Sequence, residues 1–168
     1  FFIPDDEVPY KFELGGVSHE GCAGLCALAP YLGMLAGRDG IDADTCERQT
    51  IEDAFETITH LERPVQERIL ERLHAHEHLR IVGPNDSDTN VRVSTVSFVH
   101  PDIRSGKISS DAHALGFGIR HGHMYAHRLC ERLGIPLEDG VVRVSPVHYN
   151  TTSEIDRLFD GLDRILST

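Results

Sequence analysis

The apolar positions change period several times along the chain. Residues 1–20 mix Pro, Gly and aromatics without sustained periodicity and read as extended chain and loop. From Cys22 to Ala36 nearly every position is small or apolar, with Leu25, Leu28, Leu32, Met34 and Leu35 on all sides. A helix without a polar face is expected to be buried, with a kink or restart at Pro30. Such a helix needs cover on every side, more than a chain of this length readily supplies. Ile51, Ala54, Phe55, Ile58 and Leu61 recur at helical spacing after Thr50, with Asp53 in the first turn. Val65, Ile69 and Leu73 carry the stripe past Pro64, which is expected to break or bend the segment.

The period then shortens. Leu79–Val82 reads as a strand closed by Gly83-Pro84, and 85–90 as a polar turn. Alternation over Val91–Val99 marks a second strand. A short helix over Ser109–Leu115, a strand over Phe117–Arg120, a helix over Met124–Leu133 and a strand over Val141–Ser145 follow. Thr151 with Glu154 forms a capping box ahead of Ile155, Leu158, Phe159, Leu162 and Ile165, the stripe of a last helix. Residues 65–168 therefore predict an α/β sandwich, a mostly antiparallel sheet of three or four strands with helices on one face.

Composition narrows the function classes. In 168 residues the formal net charge is -11, and no basic face is segregated, so nucleic acid is not an expected partner. No apolar run approaches the ~20 residues of a membrane span. Only Lys11 and Lys107 are lysines, and both read as surface charges. Cys22, Cys26, Cys46 and Cys130 form no C-x-x-C pair, so a reducing cytoplasmic setting is expected.

Three groups of residues carry possible chemistry. Eleven histidines include His74, His76 and His78, and a cluster of His121, His123 and His127. His123 and His127 share a face if both are helical, as two metal ligands would, but neither cluster has an evident third ligand. Arg143 sits among valines on a predicted strand. If Val142 and Val144 face the core, Arg143 faces the other side, either as a solvent-facing charge or as a guanidinium placed for a carboxylate. Arg120, near the end of another short strand, is a candidate to converge on the same point. Gly15-Gly16 before the apolar helix is either a plain turn or a backbone cradle for phosphate.

In this order the motifs resemble the C-terminal part of the class V aminotransferases, pyridoxal-phosphate enzymes of fold type I. The family includes cysteine desulfurases, selenocysteine lyases and isopenicillin-N epimerase-like proteins. Phe12-Glu13-Leu14-Gly15-Gly16-Val17-Ser18-His19 is similar to the family's F-E-x-G-T-x-N segment. Gly118-Ile119-Arg120-His121-Gly122-His123 is similar to its [VI]-R-x-G-x segment. Arg143-Val144-Ser145, then Tyr149-Asn150-Thr151 and Glu154-Ile155-Asp156, is similar to its R-x-S…Y-N-T-x-x-E-[IV] ending. The desulfurase-like branch, with R-H-G-H-x-Y-A and Y-N-T signatures, fits best.

The resemblance implies roles. Arg143 would hold the α-carboxylate of an amino-acid substrate, with Arg120 near it. Gly15 and Gly16 would reach the cofactor phosphate of the neighbouring subunit in a homodimer. Tyr125 stands where desulfurases carry their sulfur-accepting cysteine, and Cys130 lies five residues further on. A phenol of pKa ~10 does not replace a thiolate in persulfide chemistry. Gly16 stands where many members have Thr. The Schiff-base lysine has no counterpart here, since Lys11 and Lys107 match no such position. The chain is thus expected to be the C-terminal segment of a longer enzyme and inactive alone. Residues 1–49 would end the large cofactor-binding domain and 50–168 would form the small domain. The alternatives are a truncated, non-enzymatic interaction module and a histidine-rich metal-binding domain.

Overall fold

A computed structural model describes residues 6–8, 11–12 and 15–166. Glu13, Leu14 and most of the opening aromatic stretch lie outside the described residues. The chain divides into two compact units, residues 1–57 and 58–168.

The first unit holds helices α1 (His19–Cys26) and α2 (Leu28–Leu35) and the start of α3 (Arg48–His74). Ser18 caps α1, its hydroxyl accepting the Gly21 amide at 3.1 Å, so the helix starts three residues before the apolar run. The single buried helix expected over 22–36 is instead two helices divided at Ala27. Their apolar surface is largely bare: Leu25, Leu28, Tyr31 and Met34 are exposed, and Ala29 and Gly33 are buried. Gly33 is required by a close approach, since a Cβ there would lie 2.7 Å from Cβ of Ile41. Thr50 does not start α3. It lies inside the helix, buried, and its hydroxyl accepts Arg38 Nη1 at 2.7 Å, while Nη2 of the same guanidinium pairs with Asp53.

Helix α3 is one helix of 27 residues that contains Pro64. The missing amide of Pro64 costs about 3 kcal/mol in a helix interior. Val65, Ile69, Leu70 and Leu73, packed in the main core beyond it, are what hold the helix through that point.

The second unit is built on a four-stranded antiparallel sheet in the order β1-β2-β4-β3. The strands are β1 (Arg80–Val82), β2 (Val96–Val99), β3 (Arg120–Gly122) and β4 (Val141–Val144). Between them run α4 (Ser105–Ala114), α5 (His127–Arg132) and, last, α6 (Thr152–Leu166). Val96 and Phe98 of β2 and Val142 and Val144 of β4 alternate inward and are buried against α3, α4 and α6. The α6 stripe of Ile155, Leu158, Phe159, Leu162 and Ile165 closes this core as its spacing predicts. The capping box is formed, with the Glu154 amide on the Thr151 hydroxyl at 3.3 Å and the Thr151 amide on the Glu154 carboxylate at 2.7 Å. On the polar side, Arg68 reaches Asp156 at 2.6 Å, and Arg72 reaches Asp160 and Asp163 at 2.9 Å, joining α3 to α6.

Several boundaries move. β2 begins at Val96 rather than Val91; Val91 and Val93 are exposed in the preceding loop. Arg92 holds that loop by donating to the carbonyls of Pro84 and Thr95, which competes with strand pairing. Helix α4 starts four residues early because Asp139, distant in sequence, accepts the amides of Ser105 at 2.8 Å and Gly106 at 3.1 Å. A smaller apolar cluster of Cys130, Ile135 and Val141, with Val82, Val99 and Leu137 packed against it, lies apart from the main core. No helix among the described residues is long and apolar enough to cross a membrane.

His100, just beyond β2, accepts the amides of Asp102 at 3.1 Å and Ile103 at 3.0 Å through Nδ1. That geometry requires the neutral ring. Burial pushes the imidazole pKa below its ordinary value; Asp102 works against this, while His78 and His76 work with it. The unfolded ring binds a proton first, so this contribution to stability is present above pH ~6.5 and is lost as the pH falls towards the lowered folded value. His100→Asn keeps an acceptor that does not titrate. Its denaturation midpoint is expected to fall less than that of the parent protein between pH 7 and 5, measured by urea titration at each pH.

Candidate functional site

The face of the sheet opposite the main core carries the site. With Val142 and Val144 turned into the core, strand geometry sends Arg143 to the other face. β4 is an inner strand, so Arg143 has a partner on each side: Ser97 of β2 and Arg120 of β3. Directly opposed residues of an antiparallel pair have Cα atoms about 4.5–5.5 Å apart and share a face. The convergence of Arg120 and Arg143 anticipated from their separate strands is therefore present, as a cross-strand pair.

This pair is electrostatically unusual. Like charges directly opposed on a sheet repel, and no carboxylate stands in register with either. Arg143 Nε is buried and has no hydrogen-bond partner among the described residues. A guanidinium offers five N–H donors and no acceptor, and leaving one unsatisfied in a buried place costs about 1–3 kcal/mol. The missing partner is an acceptor, best an anionic one.

Beyond Arg120 the chain turns sharply. Gly122 and Gly140 approach so closely that a Cβ on Gly140 would lie 2.0 Å from the carbonyl carbon of Gly122, and both have positive φ, 124° and 66°. The next residues form a turn closed by the Ala126 amide on the His123 carbonyl at 2.7 Å. Met124 and Tyr125 in its centre have φ of 48° and 61°, left-handed for two bulky residues. The helix expected over Met124–Leu133 starts only at His127, because 124 and 125 are used for this turn. The Tyr125 ring is fully exposed.

His123 thus lies before α5, and the shared helical face with His127 does not exist. Their rings meet edge to face with centroids 5.9 Å apart, and His123 Nδ1 is buried without a partner. Among the described residues no group of three or more His, Cys, Asp or Glu is arranged to hold a metal ion. His76 is engaged with Asp163 at 2.9 Å. Sequence reading did not single out Ser97 or the Gly122–Gly140 contact. The positive-φ demand on two glycines flanking valine and histidine runs was the available signal.

Gly15 and Gly16 belong to the first unit. Neither has positive φ, and a Cβ on either would meet nothing within 4 Å. Nothing within the described chain demands glycine at these positions, which is compatible with close approach by a group from outside it.

The family model for class-V aminotransferases matches residues 5–158. The aminotransferase-like protein FGM3 of Gibberella zeae is 31% identical over 167 residues, covering 99% of this chain and 38% of that protein. A probable cysteine desulfurase of Streptomyces coelicolor is 31% identical over 157 residues, 94% of this chain and 32% of that protein. The apo cysteine desulfurase of Thermococcus onnurineus NA1 superposes with a TM-score of 0.60 at 20% identity, over 76% of this chain and 32% of that one. The chain spans about a third of the length of these relatives.

The Gly122–Gly140 contact fixes the position of the turn relative to β4. Gly140→Ala places a methyl group onto backbone and forces positive φ on alanine, for an expected loss of about 2–5 kcal/mol, measured by chemical denaturation. With the match covering residues 5–158 and the fold shared with a solved relative, this chain belongs to the class-V aminotransferase family.

Proposed function

We propose that this chain is the C-terminal segment of a pyridoxal-phosphate enzyme acting on an amino acid, and that its contribution is to bind the substrate's α-carboxylate through Arg143. The observation that carries this is the buried, unpartnered Nε of Arg143 on the sheet face away from the core. A carboxylate docked there accepts two charge-assisted hydrogen bonds in the fork geometry of a guanidinium, worth about 1.5–3 kcal/mol each. Arg120, in register beside it, adds a second positive charge to the same face.

Pyridoxal phosphate, when bound, acts as the electron sink for carbanion chemistry at the substrate Cα. Gly15 and Gly16 have the unobstructed backbone that suits approach to its phosphate, on this reading from the neighbouring subunit of a homodimer. Neither Lys11 nor Lys107 serves as the Schiff-base lysine; Lys107 is paired with Asp111 on the surface of α4. The lysine and the groups that tune the ring would come from a larger cofactor domain, to which residues 1–49 belong and against which the bare α1–α2 pair would pack. Residues 50–168 are the small domain.

Tyr125 bears on the reaction type. At neutral pH a phenol is protonated and accepts no sulfur. The buried Cys130, on α5, is not presented in its place. The reaction is therefore one that needs no protein persulfide: epimerisation, elimination or transamination.

In the full-length enzyme, Arg143→Ala is expected to weaken binding of L-alanine and L-cysteine about 10–100-fold. The cofactor absorbance before substrate is added should not change. Unaltered affinity for both amino acids in this variant would remove Arg143 from the carboxylate role.

A further inference from the structure

We propose that the substrate carries a second acidic group on its side chain, received by Arg120 and the Tyr125 hydroxyl. The inference rests on the Arg143 reading and extends it.

The first observation is a surplus of donors. One α-carboxylate satisfies one guanidinium in a bidentate fork. On the site face of β4 and its neighbours, the residues in register are Ser97, Arg143 and Arg120. Two permanent cations therefore stand side by side, and no acid stands beside them on these strands. Arg120 is exposed, and neither its side chain nor that of Tyr125 makes a hydrogen bond or ion pair with any described residue. An arginine can only donate, and a phenol at neutral pH donates to a charged acceptor. A monoacid leaves Arg120 unmatched; a diacid does not.

The second observation is the cost at which Tyr125 is displayed. Two consecutive non-glycine residues, Met124 and Tyr125, hold left-handed φ in a turn whose central positions favour Asn and Gly. These are the only non-glycine residues with positive φ among those described. The same turn contains the orphaned, buried Nδ1 of His123. The turn is nevertheless fixed at both ends, by the Gly122–Gly140 backbone contact before it and by the Cys130 amide on the Ala126 carbonyl after it. Strain kept in a rigid turn, with the side chain at its apex fully exposed among the described residues, marks a residue presented to something else. The turn begins directly after β3, the strand that carries Arg120.

The third observation is negative space around the apex. Among the described residues no acidic side chain pairs with Arg120, Tyr125 or Arg143, so this chain leaves the acceptor role at this site unfilled.

The experiment uses the full-length, cofactor-loaded enzyme and two unreactive probes, succinate as the diacid and propionate as the monoacid, with affinities read by calorimetry. Succinate is expected to bind at least ~10-fold more tightly than propionate. Arg120→Gln should bring the two affinities together, and Tyr125→Phe should weaken succinate alone by ~3–10-fold. In a separate measurement Tyr125→Gly should raise the melting temperature by about 2–4 °C, since glycine relieves the left-handed strain. Equal affinities in the parent enzyme, or a succinate preference untouched by both variants, would overturn the diacid subsite. A fall in melting temperature for Tyr125→Gly would show that the turn serves packing and would overturn the presentation argument. The Arg143 reading fails separately, if propionate binds equally well to the parent and to Arg143→Ala.

Discussion

The second unit depends on the two-residue period of one inner strand. β4 is bonded on both sides, so its alternation cannot slip without exposing Val142 and Val144 to solvent and burying Arg143 in the core. Burying an unpaired guanidinium among Phe98, Phe159 and Leu162 would cost far more than any neighbouring contact returns. The same packing that stabilises the sheet therefore fixes which face Arg143 occupies. Register then does the rest, because pairing Arg143 with Arg120 and Ser97 is a consequence of the ladders and needs no contact between the side chains.

The site is thus held by the core, yet it is not satisfied by it. The face that carries the two arginines leaves Arg143 Nε without a partner, and the turn beyond β3 keeps two bulky residues at positive φ. Elsewhere the unit pairs its buried side-chain polar atoms among the described residues, with Gln66 Nε2 as the exception. Asp139 takes the free amides at the start of α4, Ser94 donates to the Pro146 carbonyl at 3.1 Å, and Ser109 donates to the Ile119 carbonyl at 3.1 Å. Two of the three buried side-chain atoms without a hydrogen-bond partner among the described residues, on Arg143 and His123, fall in the strand and turn of the candidate site. Concentration of unmet demand in one place is what a site awaiting a ligand produces.

What the sequence disclosed follows from which interactions are local. The α6 stripe and its Thr151–Glu154 box are short-range, and both were legible. The alternation of Val142, Arg143 and Val144 gave the two faces of β4, but its neighbours depend on long-range pairing. The start of α4 was misplaced because its cap, Asp139, lies more than thirty residues away. The start of β2 was misplaced because Arg92 ties the preceding loop to carbonyls that a strand would have used. Pro64 carried a strong local signal against helix, and tertiary packing of Val65, Ile69 and Leu73 overrode it. The turn at 123–126 was unreadable for a similar reason. Met and Tyr carry no turn preference, and only the glycine contact between β3 and the residue before β4 forces them there.

The bare helices of the first unit and the unmatched arginines of the second express the same physical situation at different polarity. Leu25, Leu28 and Met34 are exposed on α1 and α2, as are Phe55 and Leu61 on α3, whereas the α6 stripe is buried. Their apolar area gains nothing from water, just as Arg143 Nε gains nothing from its surroundings. A relative three times longer has the material to cover the first, and a small anionic substrate has the charge to answer the second. An apolar run of this kind requires cover, and this chain supplies little of it. The distinction holds for the arginines as well: the ladders dictate where Arg120 and Arg143 stand, and their unmet donors state the chemistry of what comes to them.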